Sequence, residues 1–321
     1  MFFKNKNGEY LNSDNVLSVK REDAVLINEE IVGNNLVRFK IENRYISCHG
    51  GKVFLNEIKD DTSLLHDRNG YFVTVSGNYL TLSNKLAELV ADNNEIEPDL
   101  IVEYLSLKEE LYYKFKRDGI VSWKLSDFDI AENLLASVRD KILGNKNARI
   151  GQLLYEVEES EEFLKIGILK ELLNMIYENE EYHLTTFSSN TLRKDVDERG
   201  FHVDYPYHNL PQPYPDKILG VQVNFSLDDF RIDNGATIYV PNSYKSHRFP
   251  PRNPGNVEYM LAEKGSVILY RGDMWHTQGV NSTDNPRVAL LANFSPLTVR
   301  AKDFIQLGNS DFVVRDGKVF I

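Results

Sequence analysis

At 321 residues the chain is about twice the length of a typical domain, so it holds one large domain or a core domain with a smaller companion. Hydrophobic and charged fractions of 42% and 26% exclude a disordered or fibrous chain, and a net charge of −11 with no basic run excludes nucleic acid as an expected partner. The opening MFFKNKNGEY lacks the apolar core of a secretion signal, no stretch of about eighteen apolar residues exists, and the single Cys48 excludes an intrachain disulfide or a thiolate cluster, so a cytoplasmic protein without membrane contact is expected.

The first hundred residues repeat. Tyr10, Tyr45 and Tyr79 each follow a polar turn and open a short alternating stretch, at intervals of 35 and 34 residues. Further runs at 37–41, 71–75 and 101–105 alternate in the same way, as half-buried strands do. A strand-rich unit of this size cannot bury its apolar face alone, and closing three copies around an axis solves that problem. Residues 1–105 on this reading resemble a small β-trefoil of the fascin-like kind. The Gln-x-Trp signature of sugar-binding trefoils is absent, because the only tryptophans are Trp123 and Trp275; a carbohydrate-binding role and a structural or dimerising role both stay open.

From residue 106 the pattern turns helical. Ser126 with Asp129 reads as an N-terminal cap, Leu134, Leu135, Val138 and Ile142 follow at helical spacing, and Gly144 ends the run. A second helix is expected over 161–178, with Phe163, Ile166, Leu169, Leu172, Leu173 and Ile176 inward. After His183 come short strands at 219–227, 237–240, 266–271 and 288–294, separated by turns rich in Pro, Asn and Asp. Helices followed by many short strands predict a mainly β catalytic domain over 106–321, a double-stranded β-helix or jelly roll with helices on one side.

The chemistry concentrates in this second part. His202 and Asp204 are two apart, so on extended backbone both point to one face. His276 ends the apolar run that starts at Ser266. Two imidazoles and one carboxylate make a facial triad that leaves three neighbouring positions open on iron(II), although the same donors suit zinc or manganese. Arg287 follows eleven residues after His276, a spacing that returns the chain as an antiparallel neighbour. From there a guanidinium can take the distal carboxylate of 2-oxoglutarate in a bidentate pair. Thr185, with Thr186 beside it, is a candidate hydroxyl donor to the same cosubstrate. Tyr205, Tyr207, His208, Lys245, His247 and Arg248 flank the motifs and are candidate substrate contacts, the basic ones suiting an anionic group. His49, His66 and His183 have no partner pattern.

The segments DGIVSW at Asp118, HVDYPY at His202, DNGATIYVP at Asp233, and GSVILYRGDMWH with NPRVALL resemble the phytanoyl-CoA dioxygenase family. The resemblance implies iron(II) on His202, Asp204 and His276, 2-oxoglutarate on Arg287 and dioxygen as the oxidant. Gln278 stands where a small hydroxyl residue of the family often contacts 2-oxoglutarate, and the loop around Tyr244 is longer than the family's. Retention of Asp204 sets the chain apart from related halogenases, so the expected reaction is hydroxylation of a small metabolite or glycan-type substrate with release of succinate and CO2. The alternatives are a non-oxidative metal-dependent cupin-type isomerase or hydrolase, and a carbohydrate-binding protein with a silent oxygenase-like domain. An oligomer stays open.

Overall fold

The computed structural model describes residues 1–4, 10–12, 17–18, 27–33, 36–41, 44–49, 52–56, 65–68, 71–74, 79–83, 88–92, 101–103, 105–125, 132–194, 200–300, 313–315 and 318–320. They form two compact units, Met1–Glu110 and Leu111–Ile321, a division five residues beyond the sequence-based one. No described helix is long and apolar enough to cross a membrane.

The first unit is built of short antiparallel strands in a four-stranded and an eight-stranded sheet. Each repeated tyrosine lies in the first arm of a hairpin. Tyr10–Leu11 pairs with Leu17–Ser18, Arg44–His49 with Lys52–Asn56, and Tyr79–Ser83 with Glu88–Asp92. The chain's beginning is tied in by Phe2–Lys4, which pairs with Ile101–Glu103. Phe2, Phe3, Leu11, Ile27, Phe39 and Ile46 are buried, and Phe3 meets Phe39 edge-on with ring centroids 4.9 Å apart.

The second unit is mainly antiparallel β with few helices. After helix α1 (Leu107–Asp118), inside which the division falls, come strand β1 (Ile120–Lys124), α2 (Glu132–Gly144), β2 (Arg149–Ile150), α3 (Leu153–Glu156), a 3-10 stretch (Glu158–Lys165) and α4 (Gly167–Ile176). The strands that follow are β3 (Tyr182–Leu192), β4 (Val221–Ser226), β5 (Thr237–Tyr239), β6 (Glu258–Tyr259), β7 (Ser266–Arg271), β8 (His276–Gln278) and β9 (Arg287–Pro296). Two further strands, β10 (Val313–Arg315) and β11 (Lys318–Phe320), close the chain. The large sheet runs β1-β7-β4-β9-β3-β10-β11 with β2 on β3, and a small sheet runs β6-β5-β8. A large and a small antiparallel sheet of this connectivity are consistent with a jelly-roll-like fold.

Strand alternation sorts the large sheet into two faces. Val121 and Trp123 on β1, Val223 and Phe225 on β4, Val267 and Leu269 on β7, and Val288, Leu290 and Ala292 on β9 bury against the helices. From the helices come Leu135, Val138 and Ile142 of α2 and Leu169, Leu172 and Leu173 of α4, spaced three or four apart on one stripe. The alternate positions, including Ile268, Tyr270, Ala289 and Leu291, face the other way toward the small sheet. That second face carries the site.

The expected helix over 161–178 is two elements. Ile166 is extended, with φ −62° and ψ 114°, between the 3-10 stretch and α4. Gly167 explains the break, because glycine inside a helix costs about 1 kcal/mol relative to alanine and at a helix start costs little. All six inward residues are buried nonetheless. The expected cap Ser126 and Asp129 lies outside the described residues, whereas α2 does end at Gly144.

Candidate metal centre

His202, Asp204 and His276 converge, and one ligand atom from each lies within 4.8 Å of the others. The backbone builds this convergence. His202 and His276 form an isolated antiparallel bridge, exchanging N–H to carbonyl bonds of 3.0 and 3.1 Å, so their rings stand side by side with centroids 4.4 Å apart. Two residues on, the Asp204 N–H donates to Gly272 O at 2.8 Å. The extended spacing of His202 and Asp204 then turns both side chains the same way.

Each imidazole is oriented by a carbonyl. His276 Nδ1 lies 2.8 Å from Met274 O, and His202 Nδ1 lies 3.1 Å from Gly200 O. An Nδ1–H donated to these oxygens leaves each Nε2 as a bare acceptor, the tautomer a metal requires. His276 Nε2 sits 3.4 Å from Asp204 Oδ2, which is buried and has no hydrogen-bond partner. A buried carboxylate oxygen left unpaired is costly, and a divalent cation between the three groups removes that cost. The donor set therefore fits a metal ion.

The turn that holds these ligands is itself braced. Arg271 and Asp273 form a buried bidentate pair of 2.9 and 2.8 Å, and the Arg271 guanidinium lies 4.5 Å from the Tyr244 ring. Burial works against the Arg271 charge, but the Asp273 carboxylate outweighs it and holds the guanidinium above its ordinary value. Between and beside these two residues are Gly272 and Met274, whose carbonyls fix Asp204 and His276.

Beside the triad is a cavity of about 100 Å³, lined by the three candidate ligands and by Arg149, Thr186, Asn190, Gln222, Asn224, Thr237, Tyr270, Gln278, Arg287, Ala289 and Leu291. Arg287 begins β9 opposite Leu192 of β3, is 3% exposed, and places its guanidinium 4.1 Å from the Phe230 ring. Its Nε is buried with no partner, and burial pushes its pKa down to about 10 against the opposing Asp228 charge. A desolvated, unclaimed guanidinium lining a cavity is a receptor for a carboxylate.

The other sequence candidates fall in different places. Gln278 lines the cavity and accepts a 2.8 Å bond from Asn190 Nδ2. Thr185 does not line it. A β-bulge between Leu184 and Thr186 turns Thr185 away, and its hydroxyl donates to Asn293 O and Oδ1 at 3.0 and 2.6 Å; Thr186 takes the cavity position. Tyr207 is wholly buried against Val203 and Tyr214, with its hydroxyl accepting from Leu219 N–H at 2.7 Å, so it is core and not the mouth of the site. Tyr205 donates to Arg300 O, and His208 is exposed beside it with ring centroids 5.9 Å apart. Lys245 and Arg248 are exposed and His247 is half-buried, with Nε2 4.0 Å from Asp216 Oδ1. None of these five lines the cavity.

Sequence reading missed Gln222, Asn224 and Tyr270. The signal was present: Gln222 and Asn224, with Ser226, alternate as polar positions with Val221, Val223 and Phe225, and Gln222 lies opposite Tyr270 in the register. Burial, followed by the nearby Asp204 charge, raises the Tyr270 pKa well above its usual value, so its hydroxyl stays protonated. Its ring packs edge-on to His276 with centroids 5.1 Å apart.

Residues 139–289 match the model of the family described as phytanoyl-CoA dioxygenase. A 116-residue stretch is 32% identical to dioxygenase af480 of Aspergillus fumigatus, covering 35% of this chain and 37% of that protein. Dioxygenase cdmA of Talaromyces verruculosus is 33% identical over 94 residues, which is 29% of this chain and 31% of that one. The chain thus spans about a third of the length of the curated relatives it matches. Among solved structures, epimerase SnoN in complex with Fe3+, alpha ketoglutarate and nogalamycin RO aligns with a TM-score of 0.49 and 16% identity over 61% of this chain and 86% of that one. HygX from Streptomyces hygroscopicus, with nickel and 2-oxoglutarate bound, aligns with a TM-score of 0.48 and 15% identity over 60% and 88%. The stretch similar to that family, residues 139–289, contains all three candidate ligands and Arg287.

Proposed function

We propose that the chain is an iron(II)- and 2-oxoglutarate-dependent dioxygenase that hydroxylates a C–H bond of a small metabolite or sugar-containing substrate. The observation that carries this reading is the sharing of one small cavity by a metal-ready triad and a buried, unclaimed Arg287. A non-oxidative metal-dependent isomerase or hydrolase takes no 2-oxoglutarate, so the buried guanidinium argues against that alternative. Carbonyls behind His202 and His276 present their Nε2 atoms, Asp204 supplies the anionic ligand, and Arg287 takes the distal carboxylate of 2-oxoglutarate. With iron and 2-oxoglutarate bound, the centre supplies the oxidation, consuming dioxygen and releasing succinate and CO2. Gln222, Asn224 and the protonated Tyr270 line the wall and orient whatever enters by hydrogen bonds. The retained Asp204 supports hydroxylation over halogenation.

Anaerobic addition of iron(II) and then 2-oxoglutarate tests this. A visible charge-transfer band is expected, followed by succinate on admitting air, and both are expected to vanish in His276→Ala and Arg287→Ala. Their persistence in those variants, or their absence in the wild type, overturns the reading.

For the N-terminal unit we read a β-trefoil-like arrangement that presents a glycan-type substrate or mediates assembly. Three hairpins opened by Tyr10, Arg44 and Tyr79 support the threefold pattern. Glycan-array binding by the full chain tests the first role, and its mass in solution tests the second.

A further inference from the structure

Arg287 depends on a carboxylate with which it forms no ion pair. Asp228 lies just past the end of β4. Its Oδ2 accepts the Val288 N–H at 2.9 Å, and its Oδ1 accepts from Arg139 Nε on α2 at 2.8 Å. Both oxygens are therefore committed, one to the backbone of the residue after Arg287 and the other to a cation outside the cavity. Two residues on, Phe230 lays its ring against the guanidinium at 4.1 Å. The 228–230 segment thus ties down the start of β9 and packs behind Arg287, while the Asp228 charge stays near enough to oppose the desolvation of Arg287.

Such a carboxylate is also a hazard. If it rotated onto Arg287 it would occupy the group meant for the cosubstrate, with a contact strengthened by the dry surroundings. We infer that Arg139 is a positioning residue for the anion site: by engaging Asp228 it keeps that carboxylate off Arg287, leaving the guanidinium unclaimed for the distal carboxylate of 2-oxoglutarate. This rests on the proposed function. Neither Arg139 nor Asp228 lines the cavity, so neither touches a bound cosubstrate directly.

The test is calorimetric titration of 2-oxoglutarate into full-length protein loaded with manganese(II), which avoids turnover, with manganese affinity and thermal midpoint measured alongside. Arg139→Leu is expected to weaken 2-oxoglutarate about tenfold, the factor that 1.4 kcal/mol represents, with manganese affinity unchanged. The double variant R139L/D228N is expected to recover most of that loss. It removes the competing charge yet keeps an amide oxygen to accept from Val288 N–H. An unchanged Kd in R139L overturns the inference, and so does a double variant as weak as the single, because a merely structural Arg139 gives no rescue. Should R139L not fold, Arg139→Gln carries the same comparison. If the wild type binds 2-oxoglutarate no better than Arg287→Ala, the 2-oxoglutarate reading itself falls and takes this one with it; normal wild-type binding with no change in R139L overturns the Arg139 role alone.

Discussion

Asp204 Oδ2 and His276 Nε2 face one another across 3.4 Å, and the carboxylate oxygen is buried without a hydrogen bond. The protein has assembled these groups at a cost that a bound cation removes. A divalent metal should therefore act as a folding ligand, stabilising the native state by about 2.7 kcal/mol at a hundredfold excess over its Kd. Differential scanning calorimetry should show the midpoint rising with iron(II) or manganese(II) in the wild type and staying still in Asp204→Ala. An equal rise in that variant would move the metal elsewhere.

Arg287 carries the opposite trade. Burial depresses its pKa to about 10, so at neutral pH the folded protein holds a charge that the unfolded chain holds more cheaply. That penalty is present at every pH below about 10 and fades as pH climbs from there toward the ordinary guanidinium value, where the unfolded chain alone still holds the proton. Replacing a buried ion with a methionine of similar volume is often neutral or stabilising by about 1–4 kcal/mol. Arg287→Met should accordingly melt no lower than wild type without ligand, lose all stabilisation by 2-oxoglutarate, and see any lead over wild type shrink above pH 10. A variant that is strongly destabilised at pH 8 would show that the guanidinium serves the fold.

The pieces legible in the sequence were those fixed by short-range geometry. His202 and Asp204 share a face because extended backbone alternates, and that holds wherever the strand is placed. The eleven-residue step from His276 to Arg287 did not give the expected antiparallel neighbour: β8 pairs with β5 in the small sheet, β9 lies between β4 and β3 in the large one, and the two residues meet only as linings of one cavity. Thr185 was misplaced because Leu184 and Phe187, three apart, both face the helix-side core; only an inserted residue permits this, and the bulge is set by pairing with β9 a hundred residues away. Tyr207 next to the motif reads as the mouth of a site, but its burial comes from Tyr214 and Leu219, which no local pattern ties to it. Gln222 and Asn224 failed differently. Their alternation was visible, yet nothing local says which face of an isolated strand meets a metal.

The pair of Arg271 and Asp273 should be the most mutation-sensitive feature outside the triad. Removing one partner leaves the other charge buried and alone, which costs about 3–5 kcal/mol. Asp273→Ala should lose that much in urea denaturation. The same turn supplies the Gly272 and Met274 carbonyls that hold Asp204 and His276, so metal affinity should fall about 10–100-fold, the usual effect of losing an outer hydrogen-bond partner. Unaltered metal binding at native temperature would mean that the turn keeps its shape without the ion pair.

Gly235 offers a test of how the small sheet locks onto the large one. Its φ of +83° favours glycine, and a Cβ there would stand 2.3 Å from Leu192 Cδ2 and 2.8 Å from Gly279 O. Leu192 is the register partner of Arg287, and Gly279 directly follows β8, which carries His276 and Gln278. Gly235→Ala must therefore push on both halves of the site at once. The left-handed backbone alone costs about 1–2 kcal/mol and overpacking adds about 1–3 kcal/mol. Because Leu192 can swing aside and the Gly279 carbonyl cannot, the strain should relax by moving β8. The expected result is a lower thermal midpoint together with weaker 2-oxoglutarate binding. Full retention of both would show that the turn adjusts without disturbing the strand behind the metal centre.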